Sequence, residues 1–442
     1  MTIQAQIAMI AWLPIVFYLF TRFKTQEAVI ISFIVAWLFL PQRTGFVFPG
    51  LPDYERMSAT VYSILLATII HDFQRINKFN LSWIDLPMVI WCICPLFSSV
   101  SNGLGIYDGI SQSLSQTVAY GGPYFIGRIY LNNLAGMRKL AICIFISGLA
   151  YVPLCLYEIR FSPQLHRIIY GYHGNPAFIQ TIRYGGYRPT VFMEHGLAVG
   201  MWMMAATLIG IWLCKTGVVE QVYGVPMSWL IATLLATFIL VKSTGAYALL
   251  FIGTVVLFVV WQLRTSIVLL LVIFSTVLFL QQNVSANSHL TDTIITTLDN
   301  YNVPKDRIKS LEFRFDNEEI LADRAREKII FGWGGWGRNR VYDYNWRGEL
   351  VDTSVTDSLW ILAFGTNGLV GLISLYSSVF IPVLFFIVSY PAKNWSTNKI
   401  APAAAIAVII TMYMLDCTLN DQPNPIFTLA TGGISGLIVV NK

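Results

Sequence analysis

The stretch Lys305-Asp306-Arg307-Ile308-Lys309-Ser310-Leu311-Glu312-Phe313-Arg314-Phe315-Asp316-Asn317-Glu318-Glu319 lies inside the one long polar excursion of this chain, residues 281–357. Arg324, Arg326, Lys328, Arg338, Arg340 and Arg347 follow it, interleaved with Asp323 and Glu327. Almost everything before and after is apolar. That contrast decides the fold. The rest of the chain reads as a scaffold holding this segment at a membrane surface, with function expected here and in the facing segment 161–196.

Composition agrees. The chain has 442 residues, 55% hydrophobic and 12% charged, with a mean hydropathy of +0.61. A soluble protein carries roughly 25% charged residues, so too little polar surface remains for a water-soluble globule. The net charge of +5 is no nucleic-acid signature, because most basic residues sit in short loops between apolar runs. The six cysteines, Cys92, Cys94, Cys143, Cys155, Cys214 and Cys417, all fall in apolar runs and read as buried thiols. The five histidines form no metal-type cluster.

A bilayer core needs about 20 apolar residues per helix. Candidate spans fall near 2–20, 27–41, 57–73, 83–101, 111–128, 137–158, 193–214, 226–242, 244–263, 266–284, 358–390, 399–418 and 423–440. The expected fold is an all-α polytopic integral membrane helix bundle of about 12–13 spans, with one large outer loop containing short helices. Residues 1–284 form the bundle with an outer loop at 161–196, residues 285–357 the large loop, and residues 358–442 the C-terminal helices. Run 3–20 lacks a basic leader and a small-residue cleavage site, so it reads as a retained span. Span 111–128 is interrupted by Gly121, Gly122 and Pro123. Span 358–390 is too long for one straight crossing and is expected to descend after Gly365 or Gly368. An amphipathic surface helix is expected over 317–330, with Ile320, Leu321, Ala325 and Ile329 on its apolar side.

Basic residues recur on alternate loops: Arg22 and Lys24, Arg75 and Lys78, Arg128 with Arg138 and Lys139, Lys215, Arg264, then Lys393 with Lys399. The positive-inside rule puts these in the cytoplasm. The N-terminus then faces out, the C-terminus in, and both large loops lie outside.

Four stretches can carry chemistry. Tyr187-Arg188-Pro189-Thr190-Val191-Phe192-Met193-Glu194-His195-Gly196 brings Arg, Glu and His to the water–membrane border, where charge is costly unless paired or functional. It reads either as an interfacial anchor or as an anion and proton-transfer site, in which Arg183 and Arg188 meet a phosphate bidentately. Lys242 breaks a short outer turn, Ser243-Thr244-Gly245-Ala246. Phe331-Gly332-Trp333-Gly334-Gly335-Trp336-Gly337-Arg338-Asn339-Arg340 sets two tryptophans amid glycines before two arginines, either as a headgroup-level belt turn or as a sugar-stacking and phosphate-binding turn. Asp357 stands where the loop re-enters the apolar chain, as a helix-start acid, a catalytic group, or both.

In this order the four stretches resemble the bacterial O-antigen polymerase and O-antigen ligase superfamily, exopolysaccharide polymerases included. The resemblance covers roughly residues 110–440. It implies a bacterial inner-membrane glycosyltransferase with periplasmic loops, acting on a polyprenyl-pyrophosphate-linked glycan donor and a glycan acceptor. It also implies metal independence, no cofactor, contact with membrane lipids and a chain-length regulator as a candidate partner. Carried over, Arg188 binds the donor pyrophosphate. Arg183, Lys242, Arg338 and Arg340 are the other candidate cations, Trp333 and Trp336 the sugar platforms, and Asp357, Glu194 or His195, in that order, the base. Thr244 stands where ligases tend to carry Arg, and Asp357 where they carry His, which favours a polymerase over a ligase. A transporter of lipid-linked oligosaccharide is the alternative from another class; it predicts mid-span charges and repeat symmetry.

Overall fold

The computed structural model describes residues 2–48, 50–175, 177–285, 289–300 and 305–440; the side chains of His289, Leu290, Asp292, Asp306, Arg307, Ser310 and Val440 lie outside the described ones. The described chain is mostly helical. The first group is α1 (Ile3–Arg22), α2 (Thr25–Phe39), α3 (Arg56–His71), α4 (Phe73–Asn77), α5 (Leu86–Ser101) and α6 (Ile106–Gln116). Next come α7 (Gly122–Tyr130), α8 (Leu134–Phe161), α9 (Leu165–Tyr170), α10 (Gly196–Lys215), α11 (Met227–Leu240) and α12 (Thr244–Leu263). Last are α13 (Ile267–Val284), α14 (His289–Asn300), α15 (Lys305–Arg326), α16 (Leu359–Ser389), α17 (Ala401–Asp416) and α18 (Pro425–Val440). The strands described form two-stranded antiparallel hairpins only.

Among the described residues seven helical stretches are long and apolar enough to cross a membrane: α1, α5 with the turn before it, α8, α10, α12, α13 and α16. Four shorter apolar helices, α2, α11, α17 and α18, pack with them. The expected span positions all carry helices, but α3 and the α6–α7 pair are not among these eleven. The α6–α7 interruption is a π-helical turn, Thr117–Gly121, running straight into Gly122 and Pro123. Buried Trp202, Phe145, Phe427, Tyr151 and the alanine-rich α17 fill the centre. Glycine sets the closest approach. At Gly432 on α18 a Cβ would collide with the Tyr124 carbonyl on α7, so the two backbones touch as small residues allow in membrane bundles. Of the cysteines, Cys92, Cys94, Cys155 and Cys417 are buried, Cys143 is half-buried and Cys214 is exposed, which corrects the expectation that all six are interior.

The helices have two distinguishable ends. Arg183, Arg314, Asp357 and the linker after α17 meet at one. At the other, Lys139 pairs with Glu27 (2.7 Å), Thr25 bonds Asp72 (2.9 Å), and Lys215 lies over the Trp261 ring. Lys139 and Lys215, two of the basic residues of the alternate short loops, therefore lie at the end away from the cleft.

Segment 161–196 is pinned from below by Glu158 of α8. Its buried carboxylate accepts from the backbone N–H of Leu165 (2.9 Å), Thr190 (2.8 Å) and Val191 (2.7 Å). One carboxyl group thus satisfies three donors that a loop in this position would leave unpaired.

α16 is broken at Gly368, which has φ 64° and ψ −161°. A break frees backbone groups that lipid cannot satisfy. The Phe331–Gly337 turn supplies partners: Trp333 N donates to Gly365 O (2.8 Å), Gly334 N to Thr366 O (2.9 Å), and Leu369 N donates back to Ile329 O (2.8 Å). A Cβ at Gly368 would strike the Ile330 carbonyl. The two glycine-rich motifs form one clasp. Leading into it, α15 starts earlier than the expected surface helix and ends at Arg326. Its buried side carries Ile308, Glu318, Leu321, Ala322 and Ala325, whereas Ile320 and Ile329 are exposed.

Candidate active site

At the loop end of the bundle a cleft of about 870 Å³ opens between several parts of the chain. The turn after α2 brings Arg43, and the start of α3 brings Glu55 and Arg56. Segment 161–196 brings Arg183, Glu194 and His195; α15 brings Arg314; the entry to α16 brings Asp357; the α17–α18 linker brings Asn420 and Asp421. Four arginines thus face four carboxylates. Arg188 lies beneath, 3% exposed, its Nη2 donating to Ser243 Oγ (3.1 Å), and adds a fifth positive charge under the floor.

Each charge is held differently. Arg314 Nη1 donates to the Leu419 carbonyl (2.8 Å) and to Asn420 Oδ1 (3.1 Å), and its Nε stands 3.7 Å from Asp357 Oδ2. Arg43 approaches Glu194 at 3.6 Å, both largely exposed. Arg56 stacks on the Trp37 ring, 4.3 Å from its centroid, and donates to the Trp37 carbonyl (3.2 Å). Arg183 sits on the hairpin Ile182–Arg183/Gly186–Tyr187. Lys242 supports that hairpin: its Nζ donates to the carbonyls of Arg183 (3.1 Å) and Tyr184 (3.5 Å).

The three candidate bases differ in availability. His195 caps α10: its Nδ1 accepts from Leu197 N (3.1 Å), so Nε2 carries the proton and donates to Gln180 Oε1 (3.0 Å). Burial, then the charges of Arg188, Arg183 and Arg314, hold its pKa down at about 4. It is neutral, with both nitrogens engaged. Glu194 is exposed and near Arg43. Asp357 does not cap α16; Ser358 occupies that position. Its carboxylate is 36% exposed, faces the cleft and has Arg314 beside it. Asp421 is pushed up to about 6 by burial and by Glu194, and burial with Asp53 raises Glu55.

Behind Asp357, Glu318 is buried between α15 and α16. Its oxygens, the Ser358 hydroxyl and the Trp360 indole N–H lack hydrogen bonds of regular geometry. Burial pushes the carboxyl up to about 7, and Ser358, Trp360 and Arg314 oppose the shift.

The remaining candidates lie elsewhere. Trp333 is under Arg324, whose guanidinium is 3.4 Å from the ring centroid, and its Nε1 donates to the Arg324 carbonyl (2.6 Å). Arg338 approaches Asp108 (3.8 Å), and Arg340 donates to Asp352 (2.5 Å). Trp336 is 71% exposed at a positive φ, its Nε1 held by Asp108 (2.6 Å). It lines a groove of about 420 Å³ that shares Glu55, Met57 and Ala119 with the cleft.

Sequence reasoning left Arg43, Arg56, Arg314, Glu318 and Asp421 outside its candidates. Arg43 and Arg56 carried a readable signal, two arginines on a loop that alternation places outside, against the positive-inside bias. Among the described residues no group of three His, Cys, Asp or Glu side chains gathers at metal-ligand spacing.

The fold and the cleft define a polytopic helical membrane protein with a charged cleft at one end of its bundle. No protein-family model matches the chain, and no curated protein matches it.

Proposed function

We propose that the protein is a membrane glycosyltransferase that joins glycan units carried on polyprenyl pyrophosphate, in the manner of an O-antigen or exopolysaccharide polymerase of a bacterial inner membrane. The observation that supports this most is the convergence of Arg43, Arg56, Arg183 and Arg314 on one cleft that also holds Asp357. Four cations balanced by four acids leave the cleft close to neutral, and Arg188 beneath tips it positive. A diphosphate entering there takes up arginine N–H groups that the loose carboxylate contacts leave within reach, in a site where preorganised charge acts strongly.

The chemistry follows. Asp357 accepts the proton of an acceptor hydroxyl, and the oxygen attacks the anomeric carbon of the donor. The bond from that carbon to the pyrophosphate oxygen breaks. Its electron pair leaves with the polyprenyl pyrophosphate, whose developing charge the arginines stabilise. The donor bond is already activated, so the reaction draws on no nucleotide. A polymerase must seat two glycans side by side, and the groove under Trp336, sharing a wall with the cleft, provides room for the second. An O-antigen ligase uses the same step with a different acceptor.

The test is glycan polymerisation in cells that carry the protein with Arg314→Ala or Asp357→Asn at normal membrane levels. Loss of polymer in both supports the assignment. Unchanged chain-length distributions in both remove it.

A further inference from the structure

The end of the bundle opposite the cleft holds a second cavity, of about 490 Å³. The turn from α3 through α4 forms one wall with Asp72, Arg75 and Lys78, and Arg128 of α7 closes the floor. Arg128 is 4% exposed and locked to Asp85 through Nε (2.9 Å) and Nη2 (3.2 Å). Arg75 gives its Nε to Asp72 (2.8 Å) and lies over the Tyr130 ring. Lys78 is exposed and pairs with no carboxylate among the described residues. Among the described residues two acids thus neutralise two arginines, and Lys78 leaves the cavity with one positive charge in excess, next to Arg75. Exposed Phe73 (52%), Leu81 (65%) and Trp83 (50%) border the same turn, the mixture found where a span meets lipid headgroups.

We infer that this cavity binds the phosphodiester headgroup of an anionic membrane lipid, with Lys78 and Arg75 on the phosphate and Phe73 and Trp83 beside the acyl chains. Basic pockets between spans at the cytoplasmic side take such headgroups, and the alternation of basic loops assigns this end to that side. A free phosphate ester offers the same anion chemistry. The exposed apolar side chains favour the lipid, because a soluble ester leaves them uncovered.

The experiment titrates the purified full-length protein in neutral detergent with phosphatidylglycerol or phosphatidylcholine and counts bound lipid by native mass spectrometry. The wild type is expected to prefer phosphatidylglycerol by about fivefold or more. Lys78→Glu is expected to abolish that preference, and Lys393→Glu, an exposed basic site outside the cavity, to retain it. Water-soluble glycerophosphoglycerol at equal concentration is expected to leave bound phosphatidylglycerol in place. Equal binding of the two lipids overturns the inference, as does an unchanged preference in Lys78→Glu. Displacement by glycerophosphoglycerol overturns it in favour of a soluble ester.

Discussion

Arg314 of α15 and Asp357 at the entry of α16 face each other across the cleft, Nε to Oδ2, at 3.7 Å. At that distance the pair is a loose electrostatic contact rather than a hydrogen bond. Arg314 is meanwhile fixed from behind by Leu419 and Asn420. An anion entering the cleft can therefore share the arginine without dismantling its support, and the carboxylate stays free to accept a proton.

Asp357→Asn is expected to lower the rate of glycan joining by about 10²–10⁴-fold, the usual worth of a positioned base. Polymer length on gels, set against membrane levels of the protein, is the measurement. A rate near that of the wild type would place the base elsewhere.

His195→Asn is expected to leave joining within about tenfold of the wild type, because asparagine keeps the cap on α10 and the imidazole is neutral with both nitrogens bonded. A loss as deep as that of Asp357→Asn would reverse the order of the two candidates.

Glu318 links stability to pH. Its folded pKa, about 7, lies above the ordinary glutamate value because burial disfavours the charged form. Between roughly pH 4.5 and 7 the folded protein therefore holds a proton that the unfolded chain has lost, and stability falls as pH rises through that window. Glu318→Gln keeps a neutral acceptor and removes this slope. Thermal unfolding in detergent should show the variant matching the wild type near pH 4.5 and exceeding it above pH 7, by at most about 3 kcal/mol. Parallel pH profiles would mean the carboxylate is not desolvated.

Gly368→Ala forces a side chain into a φ/ψ region that costs about 1–3 kcal/mol outside glycine, and pushes the Ile330 carbonyl off the break in α16. The clasp should open, with a lower unfolding temperature and faster proteolysis after Phe331. An unchanged unfolding temperature would show that the clasp does not hold the break.

Much of this architecture was legible because helix length and apolar runs are local properties. The α6–α7 break was readable at Gly121-Gly122-Pro123, and the break in α16 at Gly368. The site was only partly legible. Arg183, Glu194, His195 and Asp357 reach the cleft, yet nothing near Arg314 distinguishes it from Arg324 or Arg326. Its role comes from contacts with Leu419 and Asn420, over a hundred residues away. The glycines around Trp333 invite a sugar-stacking reading, but their requirement is set by the distant carbonyls of Gly365 and Thr366. Arg188 is drawn under the floor by Ser243, a partner beyond the reach of local pattern.

The most direct measurement mixes the purified protein in lipid nanodiscs with a polyprenyl-pyrophosphate-linked oligosaccharide and follows the products by mass spectrometry. Lengthened glycans together with released polyprenyl pyrophosphate are expected, both lost in Asp357→Asn and in Arg314→Ala. Donor that binds or changes leaflet with no new glycosidic bond would contradict it.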